Sequence, residues 1–175
     1  MIEIELEKTY LMKSLPTDLA EFPHHEILDI YLPAEAVHPT LRLRKRGDSY
    51  AMTKKSLLDE SNASESEEHT IKLTKAEFDS LAIIHGKRVR KNRYAYVYKG
   101  YDAEIDVFED DLKGLVMADF EFKTIKEKNA FEMPDFCLVE VTDDETFAGG
   151  MLCGKKYADI EGRLKELGYD RIMLS

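Results

Sequence analysis

The strongest constraint on this chain is a period-2 alternation of charged and apolar residues that recurs in segment after segment. Ile2, Ile4 and Leu6 alternate with Glu3, Glu5 and Glu7, as in a strand with one apolar and one acidic face. The same rhythm places Glu5 with Glu7, Arg42 with Arg44, Thr53 with Lys55, and Glu68 with Thr70. It also pairs Lys91 with Arg93, Glu104 with Asp106, Asp119 with Glu121, and Glu140 with Thr142. Their neighbours on the opposite face include Leu6, Leu43, Ile105, Phe120 and Val141. One face of the predicted sheet is therefore apolar and available to helices, and the other carries charge. The signs sort by strand, since some strands carry only carboxylates and others only Arg or Lys.

Two arrangements account for this sorting. A sheet face open to water could be laced by cross-strand ion pairs. Alternatively, a closed barrel would bring both signs around one lumen, with paired carboxylates suited to a hard divalent cation and paired bases suited to phosphate oxygens.

Between the strands, Leu15–Leu19 reads as a turn into a short helix capped by Thr17 or Asp18. Gly47-Asp48 is a hairpin turn between strands at Thr40–Lys45 and Tyr50–Lys55. Residues Ser56–Glu67, rich in Asp, Glu, Ser and Asn, read as a surface loop. Thr74-Lys75-Ala76-Glu77 is a capping box opening a helix to about His85. Further strands follow at Val89–Tyr98, Ala103–Phe108, Leu115–Phe122 and Val139–Thr142, with a helix at Ile125–Phe131. A last helix over Lys156–Leu167 ends at Gly168, a C-cap residue. The count is about eight strands joined mostly by short turns, an antiparallel sheet, open or closed, and not a βαβ fold.

The length of 175 residues suits one domain spanning 1–175. The net charge of −10 argues against non-specific binding to DNA or an anionic membrane. No apolar run approaches the roughly 18 residues of a membrane span. Cys137 and Cys153 read as reduced thiols, and with no targeting segment ahead of the first strand the expected setting is cytoplasmic. The five histidines show no metal-ligand spacing, and the Gly149-Gly150 and Gly154 stretch is not a P-loop.

Taken together and in order, these segments resemble the CYTH, or triphosphate tunnel metalloenzyme, family. Glu5-Leu6-Glu7-Lys8-Thr9 is the best match to its Glu-x-Glu-x-Lys signature. Arg42-Leu43-Arg44, Thr53-Lys54-Lys55, Lys91-Asn92-Arg93-Tyr94, Glu104-Ile105-Asp106-Val107-Phe108, Asp119-Phe120-Glu121-Phe122 and Glu140-Val141-Thr142 extend it to about residue 154. The resemblance implies an α+β fold, a closed eight-stranded antiparallel β-barrel tunnel with helices packed outside. It implies Mg²⁺ or Mn²⁺ held by Glu5, Glu7, Asp119, Glu121 and Glu140. Phosphates would be held by Arg42, Arg44, Lys55, Lys91 and Arg93. Glu68 and Asp106 would orient those bases or the attacking water, and Tyr31 would lie near the substrate as a catalytic candidate.

Two positions depart from the family pattern. The signature lysine falls on Thr9, with Lys8 on the opposite face, and a C-terminal lysine position holds Gly149-Gly150. The implied partner is a small triphosphate, whether inorganic, thiamine or nucleoside, and the implied activity is its metal-dependent hydrolysis. Two alternatives share the site: ATP cyclisation of the class IV adenylate cyclase kind, and polyphosphate or nucleotide binding with little turnover.

Overall fold

A computed structural model describes the backbone at residues 3–59 and 62–173, and the side chains at 6–56 and 67–173. Nine strands form one antiparallel sheet: β1 (Glu3–Met12), β2 (His24–Leu32), β3 (Leu41–Arg46), β4 (Ser49–Asp59), β5 (Asn62–Leu73), β6 (Lys87–Tyr98), β7 (Tyr101–Phe108), β8 (Val116–Glu121) and β9 (Cys137–Glu140). Their spatial order is β5-β4-β3-β2-β6-β7-β8-β1-β9, and β1 additionally pairs with β5. Among the described residues four α-helices accompany them: α1 (Lys75–Ala82), α2 (Ile125–Ala130), α3 (Gly149–Leu152) and α4 (Tyr157–Glu166).

The closed eight-stranded barrel implied by the family resemblance is not what forms. The sheet has nine strands, and one edge of β1 is divided between two of them. β5 takes Glu3–Leu6 and β9 takes Tyr10–Met12, while β8 pairs along the other edge from Glu7 to Leu11. Only Glu3–Leu6 of β1 joins β5, opposite Glu65–Glu68. Here the sheet rolls back on itself with a short, incomplete seam.

The segment Ser56–Glu67, read as a loop, corrects in the same direction. β4 runs on to Asp59 and β5 begins at Asn62, pairing Ser56 with Glu67 and Leu57 with Ser66. Its polar composition hid a backbone ladder. The helix starting at Thr74 forms with both arms of its capping box, the Thr74 hydroxyl accepting from the Glu77 amide and the Glu77 carboxylate from the Thr74 amide. Gly168 adopts φ +74 just beyond α4, a left-handed conformation that favours glycine.

The two faces of the rolled sheet are packed differently. Outside, Phe78 of α1 packs with Ile30, Leu32 and Leu43, while Phe131 and Phe136 beside α2 and β9 cover Tyr10, Phe120 and Tyr96. Inside, each strand changes character along its length. Glu7 and Thr9 give way to Leu11, Asp29 to Tyr31, Arg93 and Lys91 to Val89, Asp106 to Phe108, and Asp119 to Met117. Those apolar ends meet Phe147, Leu152, Cys153, Tyr157, Ile160 and Leu164 in one buried cluster. One end of the interior is thus filled by apolar side chains from the strands, α3 and α4. The charged rows occupy the rest. Among the described residues no helix is long and apolar enough to cross a membrane.

Candidate active site

Register brings the alternating charges together. Asp29 lies opposite Arg44 and Tyr31 opposite Arg42 across β2 and β3. Arg93 faces Asp106 across β6 and β7, and Glu104 faces Asp119 across β7 and β8. Thr9 faces Asp119 and Glu7 faces Glu121 across β1 and β8. Opposed residues share a face, so acids and bases from β1, β2, β3, β6, β7 and β8 line one interior.

Ion pairs join them. Arg93, 8% exposed, is forked onto Asp106 through Nε and Nη2, both at 2.6 Å. Its Nη1 donates to Glu104, and its Nη2 stands 3.7 Å from Asp119. Lys91 Nζ donates to Asp106 as well. Lys55 Nζ reaches Glu7 at 3.0 Å, linking the basic row to the acidic one. Arg42 meets Glu68 at 3.8 Å, lies opposite Tyr31 in register, and keeps a buried Nε that has no partner. Glu68 accepts from Thr70 Oγ1 at 3.1 Å.

Burial and charge act against each other on these groups. Burial raises the Asp106 carboxyl, but the Arg93 and Lys91 charges outweigh it and hold the group well below the usual carboxylate range. Lys91 is pulled down by burial and by the neighbouring Arg93 charge. Asp119 is pushed well up by burial and by the Glu7 and Asp106 carboxylates, against the pull of Arg93 and Lys91. Thr9 Oγ1 donates to Asp119 at 2.7 Å. A hydroxyl therefore stands where the family signature has a cation, and it leaves the acidic side short of positive charge.

That shortage, with its carboxylate oxygens, fits a hard divalent cation in kind. The Glu7 carboxylate is one of the charges that push Asp119 up, and Glu121 lies opposite Glu7 on the same face. Among the described residues no group of three or more His, Cys, Asp or Glu side chains is already gathered for a metal. The side chain of Glu5 lies outside the described residues. Glu140 sits elsewhere, opposite Tyr10 in register, with its carboxylate 3.4 Å from Lys8 Nζ. Lys8 and Tyr10 lie on the face of β1 away from Glu7.

Two features escaped sequence reasoning. Asp29, 1% exposed, holds Arg44 through Nε and Nη2 at 2.7 Å each. The other is the fit at Gly149-Gly150. A Cβ on Gly149 would lie 2.4 Å from the Tyr31 hydroxyl, and one on Gly150 would lie 2.4 Å from the Pro39 carbonyl oxygen. These glycines let α3 close against β2 and the β2–β3 connection. The run Asp29-Ile30-Tyr31 was visible in the sequence, but its partners depend on a register that only tertiary pairing sets.

No family model matches the chain. An inorganic triphosphatase of Nitrosomonas europaea is 31% identical over 145 residues, covering 82% of this chain and 92% of that protein. The solved structure of an inorganic triphosphatase superposes with a TM-score of 0.64 at 28% identity, covering 86% of this chain and 95% of the other. A conserved hypothetical protein from Pyrococcus furiosus shares the fold alone, with a TM-score of 0.51 at 17% identity over 95% of this chain and 91% of its own. The segment order, the two-signed interior and the Nitrosomonas relative agree, and the chain belongs to the CYTH, or triphosphate tunnel metalloenzyme, family.

Proposed function

We propose that this protein hydrolyses a triphosphate with the aid of Mg²⁺ or Mn²⁺, and that inorganic tripolyphosphate is preferred over thiamine or nucleoside triphosphates. The observation that carries the reading is the meeting of both signs of charge inside the rolled sheet, where Arg93 touches Asp106, Glu104 and Asp119. Names of relatives support the triphosphatase activity. The apolar filling at one end of the interior supports a compact substrate over one with a bulky organic group.

In this reading Arg42, Arg44, Lys55, Lys91 and Arg93 bind the phosphates. They neutralise oxygens that would otherwise repel an incoming nucleophile. The partnerless Nε of Arg42 is a donor awaiting an acceptor. Asp106 keeps Arg93 and Lys91 in place and itself stays ionised. Glu68, which accepts from Thr70 and stands 3.8 Å from Arg42, is the carboxylate that orients the attacking water. Glu7, Asp119 and Glu121, joined by Glu5, would hold the metal. When bound, such an ion supplies charge stabilisation at the bridging and terminal oxygens. Attack by water oxygen on the terminal phosphorus breaks its bond to the bridging oxygen and yields orthophosphate and pyrophosphate.

Phosphate release from tripolyphosphate, thiamine triphosphate and ATP, each with Mg²⁺ and Mn²⁺, tests the reading. Glu7→Gln is expected to lose its response to metal, and Arg42→Ala to raise KM. Release from none of the three, or both variants matching wild type, would refute it.

A further inference from the structure

We infer that Asp29 is a positioning residue for substrate binding, acting through Arg44; the inference rests on the triphosphate reading. Three observations carry it. Asp29 is the charged side chain of β2 that faces the interior, and it is 1% exposed. It grips Arg44 through Nε and Nη2, both at 2.7 Å, so the guanidinium is fixed in plane and direction while Nη1 is left out of the fork. Finally, Arg42 and Lys91 also lie within its electrostatic reach, which makes it a shared counter-charge behind three cations.

The geometry separates two roles that charge alone would confuse. As a mere counter-charge, Asp29 opposes a polyanionic ligand, and removing it should tighten binding. As a positioning group it lets Arg44 meet phosphate without first losing side-chain freedom, and removing it should weaken binding although the pocket gains net positive charge. The neighbouring register pair sets the buried Tyr31 beside Arg42. β2 thus presents a buried polar row, Asp29 and Tyr31, opposite Arg44 and Arg42 of β3.

Calorimetric titration of the full chain with tripolyphosphate in EDTA, where turnover does not interfere, decides between them. Asp29→Asn is expected to weaken binding by about tenfold or more. In an Arg44→Lys background, which keeps the charge but cannot donate the fork, Asp29→Asn is expected to change affinity by less than about threefold. Tighter binding in Asp29→Asn, or equal losses in both backgrounds, would overturn the inference. Should Asp29→Asn fail to fold, Asp29→Glu decides. It retains the charge and shifts the fork by one methylene, so counter-charge alone leaves affinity unchanged and positioning weakens it. Wild type that binds no tripolyphosphate would refute the functional reading itself, and this inference with it.

Discussion

Replacing Asp106 by Asn should be among the most damaging isosteric changes in the molecule. Asp106 is 2% exposed and accepts from Arg93 Nε and Nη2 at 2.6 Å and from Lys91 Nζ. The amide keeps the shape but removes the charge, turns one acceptor into a donor, and leaves two buried cations facing it. Breaking a buried ion pair from one side costs about 3–5 kcal/mol. At about 1.4 kcal/mol per tenfold, that lowers the folding equilibrium by roughly a hundred- to several-thousand-fold. Urea denaturation at pH 7 should show a lower midpoint with an unchanged slope. The Asp106 pKa is lower in the folded state than its ordinary value of 3.8. Its contribution is therefore complete above that value and is lost as pH falls below it. The gap between wild type and Asp106→Asn should accordingly narrow as pH drops below about 4. A loss at pH 7 under about 1 kcal/mol, or a gap that widens in acid, would refute the reasoning.

Three further outcomes can be checked separately. Gly149→Ala places a methyl 2.4 Å from the Tyr31 hydroxyl. It should cost about 1–3 kcal/mol in denaturant unfolding, and an unchanged midpoint would show that α3 does not hold this close approach. Thr74→Ala removes the capping box of α1 and should lower stability by about 1 kcal/mol without altering phosphate release. Thr9→Lys puts a cation beside Asp119 in place of a 2.7 Å hydroxyl contact. Calorimetry in EDTA should show tighter tripolyphosphate binding than wild type, and weaker binding would place Thr9 away from the phosphates.

Much of the two-faced sheet was legible because alternation is a local property. Arg42-Leu43-Arg44 and Glu104-Ile105-Asp106 announce their faces within three residues, and the structure puts Leu43 and Ile105 at 0% exposure while the charges turn inward. Pairing is not local. Nothing in Cys137–Glu140 says that it will take the edge of β1 that a closed barrel would give wholly to β5. The acidic run before Glu68 looked like a loop because its alternation is of serine with glutamate, with no apolar partner to mark a face. Glu140 shared the spacing of the other acidic residues, yet its strand joins β1 on the outer edge and sets it against Lys8. Asp29 was passed over since a lone acid in an apolar strand has no visible partner until β3 is laid beside it.

The claim on which the rest depends is that the inward-facing charges bind a triphosphate inside the rolled sheet. A crystal structure of the protein grown with tripolyphosphate tests it most directly. Phosphate oxygens within hydrogen-bond distance of Arg42, Arg44 and Arg93 are the expected result. Tripolyphosphate found only on the outer surface, with Arg42 Nε still unpartnered, would contradict it.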